Sequence, residues 1–240
     1  MIKWLKSHLG PLDKIKISRE KQINESSIPN ILAPIFEHQL PDKYEKLENL
    51  TYLAVDIETT GLNPLVDSIL SIGWVEVESM KIDLQTAKHI YISASEKVKR
   101  ETAVINHIVP ETLHNGVSID DAMEEVFKNV AGKILIAHGA TIEKRFINHY
   151  IMTKLGFNSL PLLWLDTMRI ERSMLAYQQS DKDLDDVRLI TLREKYGLPE
   201  YPSHNALIDA LAAAELFLAQ TKMVFGHNKT DIESIFKRSI

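Results

Sequence analysis

The run Thr51–Ile57 (TYLAVDI) constrains the fold more than any other stretch of this chain. Tyr52, Leu53, Ala54, Val55 and Ile57 are apolar on both alternating faces, as in a strand buried in the middle of a sheet. Into this run the chain sets Asp56, and Glu58 follows two residues later. Side chains on a strand alternate, so both carboxylates project from one face, with α-carbons roughly 7 Å apart. Adjacent unpaired carboxylates repel. Hard divalent cations shared with a third carboxylate are the simplest reason to hold them together. The turn residues Thr59, Thr60 and Gly61 come next, placing the pair at a strand end, where functional residues gather. The alternative, an edge strand with a solvated acidic end, does not explain the apolar neighbours.

The pattern around this strand suggests an α/β fold. Strand-like runs are expected at Thr51–Ile57, Ser68–Val77 and Lys88–Ser93, with connections short enough for antiparallel pairing. Beyond them helix and strand alternate. Ser118–Val130 is helical, with Ile119, Ala122, Val126 and Val130 on one stripe and Ser118 as its cap. Lys133–His138 and Leu162–Asp166 read as short strands, and Thr141–Leu155, Thr167–Tyr177 and Val187–Tyr196 as helices. A last, alanine-rich helix opens at His204 or Asn205 and reaches about Lys222. A meander followed by alternation implies a mixed sheet with helices on its faces. Pro11, Pro29, Pro34 and Pro41 divide residues 1–50 into short pieces. The expected organisation is therefore an N-terminal extension over 1–50, a main domain over 51–222 and a C-terminal tail over 223–240. A short amphipathic helix with Ile2, Leu5 and Leu9 on one face is expected at the start.

Composition excludes several functions. The chain has 240 residues and no cysteine, so disulfides and thiolate metal sites are ruled out. No apolar run approaches the roughly 18 residues of a spanning helix, so a cytoplasmic protein without a membrane partner is expected. Net charge is −5, but residues 1–21 carry +4 and the remainder −9. An acidic body can still take an anionic substrate if bound metals supply the positive charge.

Further candidates lie downstream. Asp209, early in the last helix, is flanked by Ala206, Ala210, Ala213 and Ala214, which allow close packing on a sheet. His204 precedes it by five residues, about 140° around a regular helix, so both face one site only if His204 lies outside the helix. An imidazole ordinarily titrates near 6.5, which suits a general base. Glu143 falls in the first turn of a helix, where it also complements the dipole. His138 reads as a structural histidine. Asp181, Asp183, Asp185 and Asp186 lack the glycine and distal glutamate of a calcium loop and read as a solvated segment.

Together these residues resemble the DEDDh exonucleases, the family of proofreading subunits of bacterial replicative polymerase, ribonuclease T and oligoribonuclease. The resemblance covers Thr51 to about Thr221 and rests on three segments in order. VDIETTGL (Val55–Leu62) is similar to the first motif, ILIAHGATIEKRF (Ile134–Phe146) to the second, and HNALIDA (His204–Ala210) to the third. The second motif departs from the pattern. Gly139 stands where the family usually has Asn, and Glu143 where it usually has Asp. The resemblance implies a ribonuclease H-like fold, a five-stranded mixed sheet flanked by helices, with two Mg²⁺ or Mn²⁺ ions per site. It implies Asp56, Glu58, Glu143 and Asp209 as metal ligands, with His204 taking a proton from the attacking water. Thr59, Thr60, Gly61 and Leu62 would cradle the terminal nucleotide. RETAVINHI (Arg100–Ile108), with Ile105 and His107, would help hold it.

The expected activity is 3′–5′ hydrolysis of single-stranded nucleic acid, DNA foremost, releasing nucleoside 5′-monophosphates. An RNA-trimming enzyme of the same fold and a non-catalytic binding module with an impaired second metal site are the alternatives. Gln220, Met223 and Phe225, in QTKMVF, are similar to a short sliding-clamp peptide, which raises a clamp or polymerase subunit as partner. The competing explanation is that these residues finish the last helix.

Overall fold

The computed structural model describes residues 9–93, 110–177, 186–226 and 230–240. Among these, β1 (Thr51–Thr59), β2 (Ile69–Glu78), β3 (Lys81–Tyr91), β4 (Ile134–Ala137) and β5 (Trp164–Asp166) form one five-stranded sheet in the order β3-β2-β1-β4-β5. β1 pairs antiparallel with β2, and β2 with β3. β4 runs parallel to β1, and β5 to β4. The strand that is apolar on both faces is thus the central one. Helices α1 (Pro11–Glu25), α2 (Ala33–Glu37), α3 (Pro110–His114), α4 (Ile119–Val130), α5 (Thr141–Leu155), α6 (Thr167–Tyr177), α7 (Leu189–Lys195), α8 (Ala206–Phe225) and α9 (Ile232–Phe236) surround it.

Alternation along β1 divides the interior in two. Leu53, Val55 and Ile57 enter a cluster with Met123, Val126 and Phe127 of α4 and Phe146, Ile147 and Ile151 of α5. Tyr52 and Ala54 face the other way, into a cluster with Ala213, Ala214 and Phe217 of α8. Asp56 and Glu58 continue this second series, so the carboxylates project on the α8 side of the sheet. Small side chains let α8 lie close across β1 and β2. The tightest approach is at Gly73, which stands opposite Asp56 in the β1–β2 register. A Cβ there would come within 2.1 Å of the Leu207 backbone nitrogen and 2.3 Å of the Ala206 carbonyl carbon. Gly73→Ala is therefore expected to cost about 1–3 kcal/mol by overpacking, or roughly 5 °C in melting temperature for a chain this size. It also moves the first turn of α8, and activity should fall with stability. An unchanged melting curve would refute so close a contact.

Several elements differ from expectation. The third strand begins at Lys81 rather than Lys88. Lys81–Gln85 is almost entirely exposed on the sheet edge and carries no apolar run. It joins β2 through Ser79 and Met80, both at positive φ (50° and 57°). Such a two-residue turn normally advertises itself with Asn or Gly, and this one does not. Pro11 and Pro34 start helices α1 and α2 instead of interrupting the chain, because proline costs nothing at the first helical turn. The N-terminal extension, expected to pack on or trail from the main domain, buries Leu12, Leu32, Ile35 and Leu47 in the two clusters. The segment expected as a C-terminal tail completes α8 to Phe225 and adds α9, which buries Ile232, Ile235 and Phe236. Ile2 and Leu5 lie outside the described residues. No helix among the described residues is long and apolar enough to cross a membrane.

Candidate active site

Three carboxylates meet at the end of β1. Asp56 and Glu58 come from the strand and Asp209 from the first turn of α8, and an oxygen from each lies within 4.8 Å of the others. The chain arranges Asp209 through the start of α8. Asn205 caps the helix, its Oδ1 accepting from the Ile208 N–H at 3.2 Å. His204 lies just outside the helix at φ 65°, an uncommon conformation for a non-glycine residue. In this geometry the N–H groups of His204 and Asn205 both donate to Asp209 Oδ2, at 2.8 and 3.2 Å. The exposed imidazole is thereby freed from the helical spacing that would have turned it away from Asp209.

Glu143 reaches the same region from α5. It is 4% exposed, and its Oε2 has no hydrogen-bond partner. Burial, opposed by a hydrogen bond to its own backbone and reinforced by Asp166 and Glu58, pushes its pKa up to about 8. Burial and then Asp209 push Glu58 up to about 7. Asp56 is raised well above the carboxylate range by burial, then by Glu143, Asp209 and Glu58. Asp209 is raised by burial, against the pull of its two backbone donors. Asp56 is raised by all three of its neighbours, Glu58 by Asp209 and Glu143 by Glu58, so negative charge is crowded at this site beyond what the nearby Lys144, His204 and Arg193 offset. Among the described residues no lysine or arginine pairs directly with any of them. An all-oxygen donor set with an orphaned buried carboxylate oxygen fits hard divalent cations.

The second-motif departures have a visible setting. Gly139 sits at φ 77°, a region that glycine enters freely and asparagine tolerates. The turn it makes is held by Asp166, whose oxygens accept from the N–H groups of Gly139 (2.9 Å), Ala140 (3.1 Å) and Met168 (3.0 Å). Asp166 was missed from sequence; its signal was an acid between a short strand and a helix beginning with Thr167. His138 is structural: Nε2 donates to the Val187 carbonyl at 2.9 Å, and Nδ1 lies 2.8 Å from Thr167 Oγ1.

Side-chain hydrogen bonds tie the turn after β1. Thr59 Oγ1 donates to the Gly61 carbonyl at 2.7 Å and Thr60 Oγ1 to Asp67 at 3.1 Å. Leu62 projects from it, 68% exposed. Ile105 and His107, with Asp181, Asp183 and Asp185, lie outside the described residues. Asp186 is paired with Arg188. Gln220 is fully buried, its Nε2 donating to the Thr167 carbonyl and to Glu171 at 2.9 Å. QTKMVF thus finishes α8 and is not a free peptide, since its glutamine is already engaged inside the fold.

Residues 53–217 match the family model for exonucleases. The chain belongs to the exonuclease family. This exonuclease is 32% identical over 178 residues to the PolC-type DNA polymerase III of Thermotoga petrophila, an alignment covering 74% of the chain and 12% of that protein. Against the PolC-type polymerase of Mycoplasmopsis pulmonis it is 25% identical over 191 residues, covering 78% and 13%. The exonuclease therefore spans about one eighth of the length of these relatives. Among solved structures it is similar to cell-death related nuclease 4 (TM-score 0.60, 16% identity, 75% of this chain and 65% of that one). It is also similar to Escherichia coli exonuclease I crystallised with a dT13 oligonucleotide (TM-score 0.59, 15% identity, 73% and 42%). The fold is ribonuclease H-like, and the family match makes this an exonuclease domain.

Proposed function

We propose that this exonuclease removes nucleoside 5′-monophosphates one at a time from the 3′ end of single-stranded DNA, in the cytoplasm and in the service of DNA replication. The observation that carries this reading is the convergence of Asp56, Glu58 and Asp209 within 4.8 Å at the end of the central strand. Similarity to PolC-type polymerases, and to an exonuclease crystallised with oligodeoxynucleotides, supports DNA as the substrate. The hydrolytic unit would span residues 51–222, with the flanking segments buttressing it.

Asp56, Glu58 and Asp209, with Glu143 beside them, would hold two Mg²⁺ or Mn²⁺ ions. When bound, the cations supply Lewis-acid stabilisation of the attacking and leaving oxygens. His204, exposed beside Asp209, takes a proton from the attacking water. The water oxygen bonds to phosphorus, the P–O3′ bond breaks, and the leaving 3′-oxygen takes a proton from solvent, so that the shortened strand departs with a 3′-hydroxyl. Thr59, Thr60, Gly61 and Leu62 seat the terminal sugar and base, and Ile105 and His107 are assigned to the same task.

The test is incubation with matched 5′-labelled DNA and RNA oligomers in Mg²⁺ or Mn²⁺, with products identified by mass. DNA should be shortened by single nucleotides, and a chelator should stop the reaction. Faster RNA trimming would reassign the substrate. Strand retention without release would leave only a binding module.

A further inference from the structure

A cavity of about 980 Å³ opens beside the carboxylates, and its lining includes Ile190, Arg193 and Tyr201 as well as Asp56, His204 and Asp209. This lies at the upper end of small-molecule sites and leaves room beyond one nucleotide. Behind it lies a buried charge network that the hydrolysis does not use. Arg193 is 4% exposed and donates to the carbonyls of Ala212 (2.9 Å) and Pro199 (2.6 Å) and to Glu215 Oε2 (2.7 Å). Its guanidinium carbon lies 4.4 Å from the centroid of the Tyr201 ring. The Tyr201 hydroxyl donates to the second oxygen of Glu215 at 3.1 Å. One carboxylate therefore fixes both the cation and the phenol, and the cation covers one ring face. Burying such a pair is costly, and a site that must present an aromatic ring in one orientation gives it a purpose.

We infer that Tyr201 is a stacking platform for a nucleobase of the bound strand, locked in place by Arg193 and Glu215. The inference rests on the single-stranded nucleic-acid reading of the adjoining site. Every base has a π-face, so an aromatic platform grips the strand without reading its sequence. It would make the enzyme favour oligomers long enough to place a base there over shorter ones. Tyr201 acts in binding and positioning, outside the proton transfer.

The experiment uses DNA oligomers made abasic at one position at a time, with hydrolysis and binding both measured. Tyr201→Ala should raise KM about tenfold or more on the intact strand, the scale of losing one stacked base, and leave kcat near that of the wild type. Tyr201→Phe, which keeps the ring and its place under Arg193 but loses the bond to Glu215, should fall between wild type and Tyr201→Ala. The Tyr201→Ala penalty should vanish when the abasic position is the stacked one. A 2-aminopurine placed there should be quenched by wild type and Tyr201→Phe but not by Tyr201→Ala. Binding is read in an Asp56→Asn background, where the strand is not consumed. A penalty equal at every abasic position, with no change in aminopurine emission, would reduce Tyr201 to a structural lock and overturn the inference. Stacking without nucleotide release by the otherwise wild-type protein would instead sink the hydrolytic reading and leave the platform standing.

Discussion

Asp56→Asn is expected to lower mononucleotide release by at least about 10³-fold, the scale seen when a preorganised electrostatic group is removed from a site. The metal-free variant should melt no lower than wild type. Asp56 is crowded by Glu143, Asp209 and Glu58 and is desolvated, so its charge opposes folding in the absence of cations. Asparagine keeps the shape and removes that charge. Such a trade, activity against stability, is expected where a site is built from groups that repel one another. Turnover and thermal melting on the same preparation check both halves. Retained turnover would remove Asp56 from the ligand set; a large drop in melting temperature would make lost activity uninformative. Asp209 is a poorer target, because it accepts from two backbone N–H groups and its removal loosens the start of α8.

Metal-free stability should fall as pH rises, contrary to the usual acid denaturation of proteins with paired carboxylates. In the fold, Glu58 and Glu143 titrate at about 7 and about 8, above the ordinary 4.5. Between those values the native state holds protons that the unfolded chain has released. The slope of unfolding free energy against pH is then negative. Stability is fully present below about pH 4.5 and is lost as pH climbs through 7 and 8. Two such groups make the loss several kcal/mol at about 1.4 kcal/mol per unit. For a domain this size that is about 10 °C between pH 5.5 and 8.5. Mn²⁺ should restore most of it at pH 8.5, by binding only the native state. Metal uptake near neutrality should release protons. Glu143→Gln should flatten the slope. Melting curves at stepped pH, with and without metal, decide it, and a melting temperature that climbs from pH 5.5 to 8.5 would show that burial and neighbouring acids do not raise Glu58 and Glu143.

Much of the architecture was legible in local patterns. Thr141–Leu155 and Thr167–Tyr177 were bounded correctly, and Ser118 caps α4 as expected, with the Asp121 N–H donating to its hydroxyl. These elements carry their own signals of period and cap. The first half of β3 was not legible, because an exposed edge strand needs no apolar alternation and its turn adopts φ > 0 without glycine. The helix at Pro11 was obscured for a related reason: proline breaks a helix interior but suits its first turn.

Sequence alone determined the central strand, the pairing of Asp56 with Glu58 on one face, and the candidacy of His204 and Asp209. These follow from period-two alternation and short-range spacing, which operate within a few residues. Tertiary structure decided the rest. It brought α8 against Gly73, so that Asp209 meets acids some 150 positions earlier in the chain. It showed Asp166 holding the Gly139 turn, and Arg193 with Glu215 orienting Tyr201. It also absorbed Gln220 into the core. None of these has a local signature, because burial and long-range hydrogen bonding depend on which distant segments pack together.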